Sequence, residues 1–350
     1  MMARRLLVAI PVAGLPAGAE AHVKWFVAYD LLSPPRAALS VLSNDYFAIF
    51  CLLTGALMFG VSLLDHYLTQ RKCLFHRYAS AVTDRVSDYF PLLLRLSVSG
   101  FFTAIFIYGC THDLMILTPE LHTHTEWICW IQLGIAIFAL LPRTAMFAGV
   151  GIAFLYAYGV HSYGLFHMLD YPIFLGVACY LVIDSLFGHN RRELAHSAMR
   201  ICTAITLLWA SIEKFAFPEW SFLLMTERPG LALGFNLEFY MVAAGFVEFS
   251  AAYLLITGML SARVAAFFLL FFFVSAIVPF GMIDAIGHSV IIVALIVLML
   301  SNNSVARSFN ISRGITATAT LHTGIFFGTL LLCGALYYVG YYLSYQFKFI

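Results

Sequence analysis

Long apolar segments follow one another along the chain, and this succession constrains the fold more than any other feature. A helix needs about 20 apolar residues to cross a hydrocarbon core roughly 30 Å thick, and the segments have that length. In lipid a helix satisfies its own backbone hydrogen bonds, whereas an open strand leaves them unpaired. Because 62% of the 350 residues are hydrophobic and only 11% are charged, we predict an all-α, polytopic transmembrane helical bundle in a lipid bilayer.

The apolar segments predict about ten spans. They lie near residues 45–66, 89–110, 126–142, 144–164, 171–187, 199–217, 236–257, 263–280, 284–300 and 320–343. The net charge of +1 gives no support to a nucleic-acid partner. The seven cysteines show no CxxC spacing, so we expect core residues rather than a disulfide framework.

The N-terminus resembles a secretory signal peptide. A basic "MARR" precedes the apolar "LLVAIPVAGLPAGA", and Ala19-Glu20-Ala21 fits the small-x-small cleavage pattern. Cleavage of residues 1–21 leaves His22 as the mature N-terminus. The alternative is an uncleaved membrane anchor, although the apolar stretch is short and rich in proline.

Basic residues predict the orientation, because cytoplasmic loops of membrane proteins are enriched in Lys and Arg. An outer N-terminus in a bacterial inner (cytoplasmic) membrane places twelve basic residues inside and four outside. The inner set is Arg71, Lys72, Arg77, Arg85, Arg95, Arg143, Arg191, Arg192, Arg200, Arg263, Arg307 and Arg313, and the outer set is Lys24, Arg36, Arg228 and Lys348.

The order of the spans predicts two four-helix repeats. Each begins with an arginine, has a second arginine at the turn between its second and third spans, and has an aspartate near the start of its fourth span. The resulting division is a signal peptide (1–21), an outer segment with the first span and a cytoplasmic loop (22–88), a degenerate repeat (89–187), a linker (188–198), a second repeat (199–300) and a loop with the last span (301–350).

Ionisable residues inside the second repeat are the first candidates for function. Charged groups at bilayer depth cost on the order of 3 kcal/mol each on insertion scales, so they are expected to pair. We predict that Lys214 pairs with Glu248 in a polar pocket near the outer face, to which Asp284 and His288 contribute a titratable wall. The alternative is structural: Lys214 reaches the interface, and Asp284 with His288 caps a helix.

These residues carry a family resemblance. "WASIEKFAFPEW", "GFVEFSAAYLLITG", the turn arginine Arg263 and "FGMIDAIGHSVIIVALI" resemble the DoxX/DoxD family of four-span membrane proteins over residues 199–300. Residues 89–187 resemble a degenerate second copy, in which Ile128 and Gly109 stand where Glu248 and Lys214 would fall. The resemblance implies a catalytic set of Lys214, Glu248, Asp284 and His288, with Arg263 as a cofactor-binding residue.

The resemblance also implies a role in a quinone- or sulfur-linked redox system, since some members are described as subunits of quinol or thiosulfate:quinone oxidoreductases. Our leading hypothesis is a component of such a complex that handles a quinone or a small anion. Lys214 binds the ligand and His288 carries the proton. Electrons would come from a partner subunit or a bound organic cofactor.

Histidines on the predicted outer face support a second hypothesis. His22, His112, His122 and His124 have the donor types that suit copper or zinc, and the carboxylates expected nearby are Asp113, Glu120, Glu126 and Asp170. A periplasm-facing metal-binding or transport protein therefore stands as an alternative, although no HExxH spacing is present. The third alternative is a structural or assembly subunit of a membrane complex.

Overall fold

The computed structural model describes residues 23–26, 29–30, 32–71, 74–303, 305–306 and 314–346, except the side chains of 74–76. The predicted signal segment 1–21 and the candidate metal ligand His22 lie outside the described residues.

Helices dominate this part of the chain and confirm the all-α bundle. They are α1 (Ala38–Leu42), α2 (Asp45–Gln70), α3 (Leu74–Val86), α4 (Phe90–Gly109), α5 (Trp127–Leu140), α6 (Ala145–Tyr163), α7 (Leu165–Met168), α8 (Pro172–Phe187), α9 (Arg192–Ala216), α10 (Pro218–Glu227), α11 (Leu237–Thr257), α12 (Ser261–Phe280), α13 (Met282–Leu300) and α14 (Ile315–Tyr341). Two short strands, β1 (Leu114–Met115) and β2 (His122–Thr123), pair antiparallel in the loop after α4.

The membrane spans agree with the sequence. Among the described residues, eight helical segments are long and apolar enough to cross a membrane. One of them, Pro172–Ala216, folds back at Gly188 into α8 and α9. Counting these two separately and adding the shorter α5 gives the ten apolar helices that the sequence predicts. The protein is a multi-pass membrane protein.

Helices of the two proposed repeats pack in the same neighbour order. In the first set α4, α5, α6 and α8 pack consecutively, and in the second set α9, α11, α12 and α13 do so. The sets join where α8 packs on α9 and α13 on α4, while α2 and α14 pack against each other beside α11. Gly176 allows the close approach of α8 and α9, because a Cβ there would overlap Cys202.

Two faces of the bundle differ in construction. The N-terminal face carries residues 23–26, 29–30 and 32–44, the loop 110–126 and the segment 217–236, and the opposite face carries α3. The amphipathic α3 lies in what the sequence predicts as a loop, residues 67–88. On the opposite face Asp65 of α2 accepts hydrogen bonds from the backbone amides of Met259, Leu260 and Ser261 and so caps α12 from another helix.

Candidate functional site

The N-terminal segment, of which residues 23–26, 29–30 and 32–36 are described, enters the bundle from its N-terminal face. Arg36 holds its end in place with ion pairs to Glu219 and Glu238, both at 2.5 Å. The backbone amide of Arg36 also donates to the carbonyl oxygen of Ala216 at 2.9 Å. These contacts bring Lys24 to the ends of α8 and α9.

Lys24 lies at the centre of a buried ion-pair cluster. Its Nζ is 2.6 Å from Oδ2 of Asp170 and 2.5 Å from Oε2 of Glu213, and the Lys24 and Asp170 side chains are only 3% and 2% exposed. The rings of Tyr29 and Trp220 lie 5.7 and 5.4 Å from the ammonium group. Burial alone would lower the pKa of Lys24, but the nearby carboxylates of Asp170 and Glu213 outweigh it and hold this pKa well above its usual range.

A second pair adjoins this cluster. Glu120, in the loop before β2, places Oε1 2.8 Å from Nε2 of His167, and the two side chains are 2% and 1% exposed. Burial acts to raise the pKa of Glu120, but contact with His167 and the charge of Lys24 lower it to about 2. Glu120 is therefore a carboxylate at neutral pH despite its burial.

Lys214 pairs with Glu248, as the sequence predicts, at 2.7 Å between Nζ and Oε2. Glu213, its neighbour in sequence, turns instead to Lys24, because successive side chains on a helix point about 100° apart. The last turn of α9 thus supplies one charge to each of two separate sites. The Lys214 and Glu248 side chains are 16% and 18% exposed.

The Lys214–Glu248 pair lies in an aromatic groove, a cavity of about 230 Å³. Its other lining residues are Phe235, Phe239, Tyr240, Ala243, Ala244, Val247, Leu269, Phe272 and Phe273. A second, almost wholly apolar cavity of about 480 Å³ runs between α2, α11 and α12 towards Asp65. Val247 and Phe272 line both cavities, so the two cavities adjoin on the bundle surface.

Asp284 and His288 form a pair on the same face of α13, with 3.0 Å between Oδ1 and Nδ1. They do not line the aromatic groove: Phe273 lines it and also contacts the His288 ring, with centroids 4.9 Å apart. On its other side His288 stacks on Trp25 at 4.5 Å. The pair is buried, so the structure places it behind Phe273 rather than in a wall shared with Lys214.

Arg263 lies at the opposite face. Its guanidinium group donates to the carbonyl oxygen of Met299 at 3.3 Å and to Oγ1 of Thr83 at 3.0 Å. Cations near a helix C-terminus are stabilised by its unpaired carbonyl groups. The contacts therefore assign Arg263 to the end of α13 and not to the groove, where the predicted cofactor role would place it.

The outer histidines are dispersed. His112 stacks on Tyr108 with centroids 4.2 Å apart, while His122 lies in β2 and His124 follows it, all three exposed. Within the described residues, three or more metal-ligand side chains converge at Glu120, His167 and Asp170, not at these histidines.

Sequence reasoning missed the cluster around Lys24. Glu120, His167 and Asp170 are recognisable only as outer-face residues, and nothing local pairs Lys24 with a carboxylate 146 residues away. The available signal is a lysine flanked by aromatic and apolar residues in "HVKWFV". Such a lysine needs a counter-ion if the segment enters the bundle.

Comparisons with known proteins name no family for this arrangement. No family model matches the chain, and searches of curated proteins and solved structures give no significant match. The resemblance to DoxX/DoxD proteins therefore stays a hypothesis based on residues 199–300.

Proposed function

We propose that this protein is the quinone-binding component of a membrane redox system, with the quinone head group at Lys214 and Glu248. The observation that carries the proposal is an ion pair in a groove that adjoins an apolar cavity on the bundle surface. An ionisable pair in a membrane-spanning region is costly unless it has a use, so it marks a functional site by default.

The two adjoining cavities together favour an amphiphile with a long apolar tail. The first cavity combines two charged groups with aromatic rings, which suits a planar polar head. The second is lined almost entirely by apolar side chains, and Val247, shared by both, is 45% exposed at the apolar outer surface. A head group at Lys214 would therefore leave an isoprenoid tail in the second cavity.

The chemistry of the pair also suits a quinone. The Lys214 ammonium group can donate a hydrogen bond to a quinone carbonyl oxygen, and Glu248 can exchange a proton at the same site. Reduction of a quinone to a quinol consumes two electrons and two protons. A redox partner subunit supplies the electrons in this proposal, which rests also on the family resemblance. The N-terminal face would then be periplasmic in a bacterial inner membrane.

The test distinguishes binding of the quinone head group from binding of its apolar tail. Purified full-length protein in nanodiscs is titrated with a tail-less benzoquinone and with a decyl-substituted one. Lys214→Gln and Glu248→Gln should weaken both about 10- to 100-fold, which corresponds to the 1.5–3 kcal/mol of a charged hydrogen bond. Val247→Trp fills the junction of the cavities and should weaken only the decyl compound.

The control is His124→Ala, an exposed residue of the same face, and it should bind both compounds as the wild type does. Equal binding of both quinones by all variants, or no binding by the wild type, contradicts the proposal. A wild type that binds neither quinone, but fails to assemble with other subunits when a helix face is altered, would instead support a structural or assembly subunit.

A further inference from the structure

Glu120, His167 and Asp170 bring three metal-ligand groups together at the N-terminal face. One ligand atom from each residue lies within 4.8 Å of the others. The side chains come from the loop before β2, from α7 and from the turn before α8, and the residues are 8%, 1% and 2% exposed. A nitrogen donor with two carboxylates is a set that divalent zinc accepts.

Asp170 offers an unused donor atom to this cluster. Its Oδ1 is buried and has no hydrogen-bond partner among the described residues, whereas buried polar atoms are normally paired. Nε2 of His167 and Oε1 of Glu120 are 2.8 Å apart, which is a hydrogen-bond distance. Two donors about 2.0–2.2 Å from one tetrahedral zinc ion lie about 3.4 Å from each other, so an ion would replace this contact after these two atoms separate by about 0.6 Å.

Charge leads to the same conclusion. Glu120, Asp170 and Glu213 bring three carboxylates to the cluster, and Lys24 brings one ammonium group. These carboxyl groups outnumber the one ammonium group, and uncompensated negative charges in a buried site are costly. A divalent cation balances them, and Lys24 on Oδ2 of Asp170 leaves Oδ1 for that ion.

We propose that Glu120, His167 and Asp170 bind one divalent transition-metal ion, with Zn²⁺ the best match to the donor set. Three protein ligands leave a fourth position for water or another small ligand. Bound there, the ion links the loop 116–121 to α7 and to the start of α8. This site is separate from the groove at Lys214, so it does not depend on the quinone proposal.

The experiment is a titration of chelator-treated, full-length protein in detergent with Zn²⁺, in which isothermal titration calorimetry measures the affinity and the stoichiometry. The wild type should bind one equivalent. His167→Gln and Asp170→Asn should each weaken binding by more than about 10-fold, the loss already seen when groups that only support a ligand are removed.

Matched controls are His122→Ala and His124→Ala, exposed histidines of the adjacent loop that should bind Zn²⁺ like the wild type. Equal affinity in His167→Gln and wild type overturns the proposal, as does a loss confined to the two controls. If His167→Gln does not fold, the proposal is tested instead by adding Co²⁺ to the wild type and recording its visible absorption spectrum. A visible spectrum of a four-coordinate N/O site supports the proposal. No Co²⁺ uptake overturns it, and the excess charge is then balanced by protons.

Discussion

Replacement of Lys24 by Met tests whether the N-terminal segment supplies an essential buried charge. The substitution removes the ammonium group that lies 2.6 Å from Asp170 and 2.5 Å from Glu213, while it keeps most of the apolar stem. Removal of one partner from a buried ion pair costs about 3–5 kcal/mol, because the other charge is left in a poorly solvated site.

Proton uptake sets a limit to this cost. A buried carboxylate that loses its counter-ion takes up a proton rather than stay charged. For an ordinary aspartate this costs about 4 kcal/mol at pH 7 and about 1.5 kcal/mol at pH 5. The proton is bound in the folded variant and released on unfolding, so stability falls as the pH rises. We therefore expect the deficit of Lys24→Met to widen by about 2–3 kcal/mol between pH 5 and pH 7.

The measurement is equilibrium unfolding in mixed micelles at the two pH values. Lys214→Met is the matched control, since the same change is made in a pair that is 16% and 18% exposed, and it should cost about 1–2 kcal/mol. Adding Asp170→Asn to Lys24→Met should restore part of the stability. A deficit below about 1 kcal/mol at pH 7, or one that does not change with pH, would refute the reasoning.

Two further substitutions test contacts between elements at the two faces of the bundle. Asp65→Ala removes the carboxylate that caps α12 through three backbone amides and the Ser261 hydroxyl. It should lower the free energy of unfolding by about 2 kcal/mol in the same assay. The control Asp84→Ala, at an exposed residue, should stay within about 0.5 kcal/mol of the wild type. Gly287→Ala places a Cβ in the ring of Trp25 and should cost about 1–3 kcal/mol. In a Trp25→Ala background the same change should cost almost nothing, and an undiminished cost there would contradict the contact.

The sequence predicts the structure well wherever the thickness of the bilayer determines the length of a helix. The hydrocarbon core requires apolar runs of nearly constant length, so the helix bounds follow closely: the predicted span 89–110 is α4 at Phe90–Gly109, and 236–257 is α11 at Leu237–Thr257. The outlier is α9, which begins at Arg192 rather than near residue 199. Its first turns lie beyond the apolar run, where hydropathy carries no signal.

Side-chain pairs follow from the sequence only when few partners compete. Asp284 and His288 are one helical turn apart, so their contact is local. Lys214 and Glu248 are ionisable groups on neighbouring spans, and the cost of burying a charge in lipid predicts their pairing. Glu213 shows where this reasoning stops. Its counter-ion Lys24 reaches it through the entry of the N-terminal segment, a tertiary event that no periodicity encodes.

That entry makes the N-terminal segment part of the core. Lys24 binds to the ends of α8 and α9, while Trp25 stacks on His288 of α13 and Phe26 stacks on Phe280 of α12. The segment thus bridges both sets of four helices, and its lysine forms an ion pair with a carboxyl group of each set. Because Glu213 and Lys214 are adjacent in α9, the last turn of this helix contributes one residue to the ion pair with Lys24 and the next residue to the pair with Glu248.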